Sequence, residues 1–304
     1  MKRVLVLGGT GFIGSHVLRR LRARSDVRAM VLAHRNVDYR SLEDVNLVVD
    51  SLTRWDLSWI ETFEPDTLIH VARLGGSGPL RRAIASRRGR RANQRLVDWL
   101  AAHAPDTRVI YVSGTLVYGN RGDVDVDESA TLDPTAFARE YVRAEHPWMD
   151  AQRDGTLPIT IVRPPWVVGP GSWFHAYYVR QALRDGGVPL YGSGDNWMTL
   201  LDVEDCAGAI VHLAEHARPP TTVNLLAPGQ WTRQRQFTEA LAGLLSVGVR
   251  RVDVHDRRRF RDRAVREALT SSLRATTRHP QALHGYAWKA PHWPEMLGRH
   301  LSTA

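Results

Sequence analysis

The chain is poor in several things that would each point to a particular chemistry. It has a single cysteine, Cys206, so no internal disulfide can form, and such usage fits a reducing compartment. Its His, Cys and carboxylate residues nowhere fall at metal-ligand spacing, and no metal site is expected. No apolar run approaches the ~20 residues that cross a bilayer, so no membrane partner is expected. The first residues read as a strand rather than a leader, and the expected location is cytoplasmic. Lysine is nearly missing: only Lys2 and Lys289 stand among the 41 Lys+Arg. The net charge of +9 would suit a nucleic acid. However, arginine in place of lysine is what a GC-rich genome gives without selection for binding, and no recognition motif of that class is present. A solvated basic surface, with no nucleic-acid partner, is the expectation.

What is present is a regular alternation. Short apolar runs at residues 2–7, 27–33, 47–50, 67–72, 108–113 and 159–162 read as buried parallel strands. Helical patterns cover 16–24, 90–103 and 137–153. Strands alternating with helices predict an α/β fold, a doubly wound parallel sheet of the Rossmann type. After Pro164 and Pro165 the pattern loosens, and six of the ten tryptophans follow. The expected division is a nucleotide-binding domain over 1–165 and a smaller C-terminal substrate lobe over 166–304.

The run Gly8-Gly9-Thr10-Gly11-Phe12-Ile13-Gly14 follows the first strand and opens a helix. Its glycines let the backbone turn tightly and approach a pyrophosphate held at a helix N-terminus. Gly8, Thr10, Gly11, Phe12 and Ile13 are therefore candidate cofactor residues. NAD-selective sites place a carboxylate at the end of the second strand. Here His34 and Arg35 stand there without an acid, and a guanidinium can fork onto a 2′-phosphate. NADP(H) is expected, with NAD(H) as the alternative. Asp50 and Ser51 end the third strand, where adenine would lie, and Val71, Ala72 and Arg73 end the fourth, close to the cofactor path.

These motifs continue along most of the chain. Residues 66–72, the segment from Val112 to Gly119, Arg163-Pro164 through Gly171, and Gly192-Ser193-Gly194 through Asp205 are each similar to a motif of one family. The chain resembles an extended short-chain dehydrogenase/reductase of the epimerase–dehydratase type. The resemblance implies that Pro164 borders the cofactor. It also implies a Ser/Thr–Tyr–Lys triad, and here the chain departs from the pattern. Counting back from Tyr118 puts Gly114 at the Ser/Thr position. Pro134 and Glu145 fix a register in which Phe137 stands for the tyrosine and Tyr141 for the lysine. A competing register pairs Tyr141 with Glu145, which puts a carboxylate where a cation is needed. Phenylalanine cannot deliver a proton, so the catalytic group is left open, with Ser113, Thr115 and Tyr141 as candidate helpers. The asparagine of the preceding helix falls near Gly89. Relatives that act on nucleotide sugars carry an arginine at the position of Met198, which cannot pair with a diphosphate. With Trp166, Trp173, Trp197 and Met198 as candidate substrate residues, the expected ligand is a flat aromatic small molecule.

Two functions follow. The first is an NAD(P)H-dependent ketoreductase. Resemblance to ketoreductases of this family that lack the triad implies an aromatic polyketide substrate of the angucyclinone type, in antibiotic biosynthesis, whose own phenolic hydroxyl assists. The second is a nonenzymatic NADP(H)-binding redox sensor. The arginine-rich stretch 73–91 reads as a solvated basic helix, or else as a flap over the cofactor. Like charges there would meet across a two-fold axis, so a monomer is expected. The run 257–266 reads as an exposed helix face.

Overall fold

A computed structural model gives the structure of the protein and describes residues 1–34, 45–76, 78–256 and 262–301. The first half runs β1 (Lys2–Leu7), α1 (Phe12–Arg22), β2 (Val27–Ala33), β3 (Asn46–Val49), α2 (Ser58–Phe63), β4 (Thr67–His70), α3 (Pro79–His103), β5 (Arg108–Val112), β6 (Asp125–Val126), α4 (Ala136–Arg153) and β7 (Ile159–Arg163). The second half adds β8 (Trp166–Val168), α5 (Arg180–Asp185), β9 (Gly187–Tyr191), β10 (Trp197–Asp202), α6 (Val203–His216), β11 (Thr221–Asn224), β12 (Trp231–Arg233), α7 (Gln234–Leu245), β13 (Gly248–Val252), α8 (Arg263–Thr270), β14 (Arg274–Ala275) and α9 (Trp293–Arg299).

Seven strands form the central sheet in the order β3-β2-β1-β4-β5-β7-β11, all parallel. Strand order reverses between β1 and β4, which opens a crevice at the carboxyl edge. The register pairs Leu7 with both Leu32 and His70, so β1, β2 and β4 end together there. α1 and α6 cover one face, with Val17, Leu18 and Leu21 packed in one core with Cys206, Ile210 and Leu213. Ile60, Phe63, Leu96, Leu100 and Trp148 fill the other face beneath α2, α3 and α4. The second lobe has its own core of Phe174, Tyr178, Met198, Phe237, Leu241 and Met296. The division at residue 165 follows a change of character, yet the chain returns to the sheet: α6 packs beside α1 and β11 extends the sheet from β7.

Two helices begin earlier than their sequence pattern suggests. α1 starts at Phe12 because extended Gly11 caps it directly out of the glycine turn. α3 starts at Pro79 rather than near 90, with proline in its first turn, where a missing N–H costs nothing. Its arginines are good helix formers but lack apolar periodicity, so the basic stretch is a helix from Pro79 onward. Of the expected face at 257–266, residues 257–261 lie outside the described residues, and α8 begins at Arg263.

Two buried or half-buried carboxylates fasten the outer parts to this frame. Asp205 on α6, 1% exposed, accepts from the main-chain N–H groups of Lys289 at 3.0 Å and Ala290 at 2.8 Å, and from the Tyr286 hydroxyl at 3.2 Å. Asp205→Ala leaves those N–H groups unpaired, and thermal unfolding is expected to show a loss of about 3 kcal/mol. Asp262 caps α8 at Ala264 N and receives Arg82 of α3 at 2.8 Å. The hydrogen bond from Arg82 is the main cause holding the Asp262 carboxyl below its usual range. Its folded value is therefore depressed. The stabilisation is fully present above the ordinary aspartate value of about 3.9 and is lost as pH falls through the lower folded value. Urea titrations across acid pH are expected to show a shallower acid limb for Asp262→Asn than for the wild type.

Candidate functional site

The glycine turn is shaped by close approaches. Gly8 sits at φ +86°, and a Cβ there would stand 2.7 Å from the Ala72 Cα. A Cβ on Gly14 would fall 1.9 Å from the Gly8 carbonyl oxygen. Gly11 N donates to that oxygen at 3.0 Å. The first N–H groups of α1, beginning at Phe12 and Ile13, have no intrahelical acceptor, and the helix dipole favours an anion beside them. Thr10 completes the turn. At the neighbouring strand ends Asp50 N donates to the Ala33 carbonyl at 3.0 Å, and Ser51 N donates to the Asp50 carboxylate at 2.6 Å. His34 follows Ala33 and is exposed. Val71 N donates to the Leu7 carbonyl at 2.9 Å, so Val71, Ala72 and Arg73 run along the glycine turn. This cradle fits the pyrophosphate of a dinucleotide. Arg35 lies outside the described residues.

Beyond the ends of β5 and β7 the glycine turn opens on a cleft of 280 Å³. Phe12 and Ile13 form one side of it. Gly114, Thr115, Phe137, Tyr141, Pro164, Trp166 and Trp173 form others. Trp173 meets Phe137 at a ring separation of 4.7 Å and Trp166 at 5.9 Å, both edge-to-face. The structure thus brings two of the expected tryptophans onto the cleft. Trp197 and Met198 are not among its lining residues, contrary to the expectation. Adjacent strand residues point to opposite faces, and neither face of β10 lines the cleft. Met198 is 2% exposed in the second-lobe core. Trp197 stacks with Arg233 at 4.0 Å and Arg274 at 5.0 Å, and its indole N–H donates to Asp123 at 2.9 Å.

Beneath the cleft lies a buried ionic network. Arg163, at the end of β7, donates to Glu145 of α4 at 3.3 Å and to the Tyr118 hydroxyl at 2.9 Å. Tyr118 in turn donates to Asn224 of β11 at 2.8 Å. Ser113 donates its hydroxyl to Glu145, so this candidate helper belongs to the floor of the site and its proton is already engaged. In the sequence Glu145 enters only through the two competing registers, and its pairing with Arg163 has no local signal. Nor does the sequence single out Asn93 on α3, which is 3% exposed, donates to the Ala144 carbonyl at 2.7 Å and bonds His70 at 2.9 Å. Burial pushes the His70 imidazole down to about 4, so it is neutral and structural. Gly89 lets α3 approach α4, since a Cβ there would stand 3.3 Å from the Ala144 Cβ.

Phe137 presents only an apolar ring to the cleft. Tyr141 is 7% exposed. An ideal Cβ on Gly114 would lie 3.5 Å from its hydroxyl oxygen, and the Arg73 guanidinium stands 4.1 Å from its ring centroid. Burial pushes the Tyr141 phenol well up, Arg73 draws it back, and Glu145 adds to the rise. The phenol is therefore protonated at neutral pH.

Glu145→Gln would strand Arg163, which is 4% exposed, without a charged partner. Breaking such a pair costs about 3–5 kcal/mol. Urea denaturation is expected to show a loss of that order, with main-chain circular dichroism retained in the absence of denaturant.

Comparison with known proteins agrees with this geometry. Residues 4–225 match the NAD dependent epimerase/dehydratase family. The chain is 27% identical to the dTDP-L-rhamnose 4-epimerase of Burkholderia thailandensis, covering 96% of this chain and 91% of that protein. It is 26% identical to the bovine (Bos taurus) epimerase family protein SDR39U1, over 80% of each. Among solved structures, dTDP-glucose 4,6-dehydratase from Bacillus anthracis in complex with NAD superposes with a TM-score of 0.80 at 17% identity, covering 99% of this chain and 96% of that one. Human SDR39U1 isoform 2 with NADPH gives 0.77 at 20% identity, covering 99% and 100%. The matched span takes in the glycine turn, the ionic network and every aromatic residue named in the cleft, and the chain belongs to the NAD dependent epimerase/dehydratase family.

Proposed function

We propose that the protein is an NADPH-dependent ketoreductase for a flat aromatic ketone or quinone, of the aromatic-polyketide, angucyclinone type. The observation that carries this reading is the direct opening of an intact dinucleotide cradle into a cleft bordered by Phe137, Tyr141, Trp166 and Trp173. Aromatic rings seat a planar ligand edge-to-face or offset-stacked. NADPH is preferred over NADH because no carboxylate follows β2 at His34, Arg35 or Asn36. The human structural relative is described with NADPH, which agrees with that preference. In its missing triad the chain is similar to the atypical ketoreductase of simocyclinone biosynthesis, and an antibiotic-tailoring role follows from that likeness. Several relatives are named for nucleotide sugars. Phe137 and Tyr141, at the cleft, argue against that chemistry here.

Once bound, the reduced cofactor supplies a hydride. The chain's residues do the rest. The glycine turn would fix the diphosphate, and the tryptophans would orient the ketone plane against the cofactor path. A phenolic hydroxyl next to the ketone adds an internal hydrogen bond and makes up part of the ~100- to 10,000-fold that a general acid contributes. Exposed Arg81, Arg87, Arg88, Arg90 and Arg91 on α3 would repel across a two-fold contact, which supports a monomer. The single cysteine supports a cytoplasmic site of action.

The missing triad favours a second reading, an NADP(H)-binding redox sensor without turnover. One assay separates the two: the protein is mixed with NADPH and a panel of hydroxyaryl ketones and quinones, and loss of the reduced-nicotinamide absorbance is followed. Saturable reduction of at least one hydroxyaryl ketone is expected. Tight NADPH binding with only background oxidation across the panel would instead support the sensor.

A further inference from the structure

We infer that Tyr141 and Arg73 form a replacement acid pair, with Tyr141 donating to the substrate's carbonyl oxygen and Arg73 holding the phenol and stabilising its anion. The inference rests on the carbonyl-reductase reading and names the group that the missing triad leaves open.

Gly114 provides the first argument. Its φ is 176°, an extended conformation open to any residue, so the backbone does not require glycine there. What glycine provides is space. A Cβ would stand 3.5 Å from the Tyr141 hydroxyl and 3.6 Å from the Pro164 carbonyl oxygen, and a serine hydroxyl would reach further towards the phenol. Without that side chain the phenol borders the cleft at the point where a triad hydroxyl would stand. Among the described residues no protein group hydrogen-bonds the Tyr141 hydroxyl. Ser113 is engaged by Glu145, and Phe137 has no proton to give. Tyr141 is left as the unengaged phenol beside Gly114.

Arg73 provides the second. It follows β4 in a different part of the chain, yet its guanidinium lies 4.1 Å from the Tyr141 ring centroid. Among the described residues it has no carboxylate partner, so its charge is free to act on the phenol. An arginine stays charged throughout the accessible pH range, and a cation over an aromatic face is attractive. Burial keeps the proton on Tyr141 until it is needed, and Arg73 lowers the cost of releasing it. A phenol beside a cation is thus rebuilt one helical turn along α4, with the cation drawn from a loop instead of the helix. Behind the pair, Arg73, Phe137 and Tyr141 also wall a second cavity of 190 Å³ between α3 and α4, which Ser86, Asn93 and Glu140 make partly polar.

The step balances. The carbonyl carbon takes a hydride from the reduced nicotinamide and forms a C–H bond. The electron pair of the C=O π bond moves to oxygen, which takes the phenolic proton and becomes an alcohol. The Tyr141 phenolate regains a proton from solvent. The net change is ketone, NADPH and a proton to alcohol and NADP+. A carbonyl oxygen has two lone pairs, so an internal phenol occupies one and Tyr141 the other.

The test uses the full chain and paired aryl ketones, with and without an adjacent hydroxyl. Tyr141→Phe is expected to lower kcat about 100-fold on the ketone without the hydroxyl and about 10-fold on its partner, with the NADPH Kd unchanged. Arg73→Gln is expected to lower kcat at saturating NADPH, and Arg73→Lys to restore most of it. A change in NADPH Kd alone would assign Arg73 to the cofactor and overturn its part in the pair. Gly114→Ser, whose hydroxyl comes within reach of the phenol, is expected to lower kcat as well. Cofactor-free protein gives an independent readout through quenching of Trp166 and Trp173 by the ketone, which Tyr141→Phe is expected to weaken about fivefold. Wild-type turnover with an equally active and equally quenched Tyr141→Phe overturns the inference and leaves the reductase reading standing. No wild-type turnover on any ketone overturns that reading, and unaltered quenching in Tyr141→Phe then removes the pair with it.

Discussion

The site depends on one buried ion pair. Glu145 and Arg163 are 0% and 4% exposed, and taking two charges out of water is costly unless every lone pair and proton is met. Ser113 meets one carboxylate oxygen and Tyr118 one guanidinium nitrogen, while Arg163 Nε has no partner among the described residues. The pair ties α4 to the end of β7, and its partners tie in the end of β5 and, through Asn224, β11. α4 is thereby fixed against the sheet edge with Phe137 and Tyr141 turned to the cleft. Remove that constraint and the aromatic residues lose the backing that sets their distance from the cofactor path.

What the sequence made legible is what close packing enforces residue by residue. The glycine turn is read correctly because Gly8 and Gly14 each stand where a side chain would strike backbone. The parallel strands are read because both of their faces are buried, which makes them continuous apolar runs. The basic stretch reads as a helix by composition, but its continuity with the 90–103 helix has no local signal, because an arginine-rich run shows little apolar periodicity. Trp197 and Met198 are candidate substrate residues by sequence, and neither lines the cleft. They are neighbours in sequence, but a strand sends them to opposite sides, one into the second-lobe core and the other between two arginines. The contact between Arg73 and Tyr141 joins a loop after β4 to the middle of α4, and no local pattern announces it.

Family membership and residue chemistry bear on different questions. The glycine turn and the sheet edge set the class of cofactor. Positions 114, 137 and 141 border the cleft, and the residues there, Gly, Phe and Tyr, are what bears on its chemistry.

The fit of Tyr141 against Gly114 also constrains how such a site can change over a lineage. A serine at 114 would contact the phenol that now stands beside it. A tyrosine at 137 alone would add a hydroxyl to a ring packed 4.7 Å from Trp173, without the cation that activates it. A lysine at 141 alone would remove the present phenol and offer none in return. No one of these changes alone assembles a phenol, a cation and a serine hydroxyl, so the common triad lies several substitutions away from the residues that stand at 114, 137 and 141.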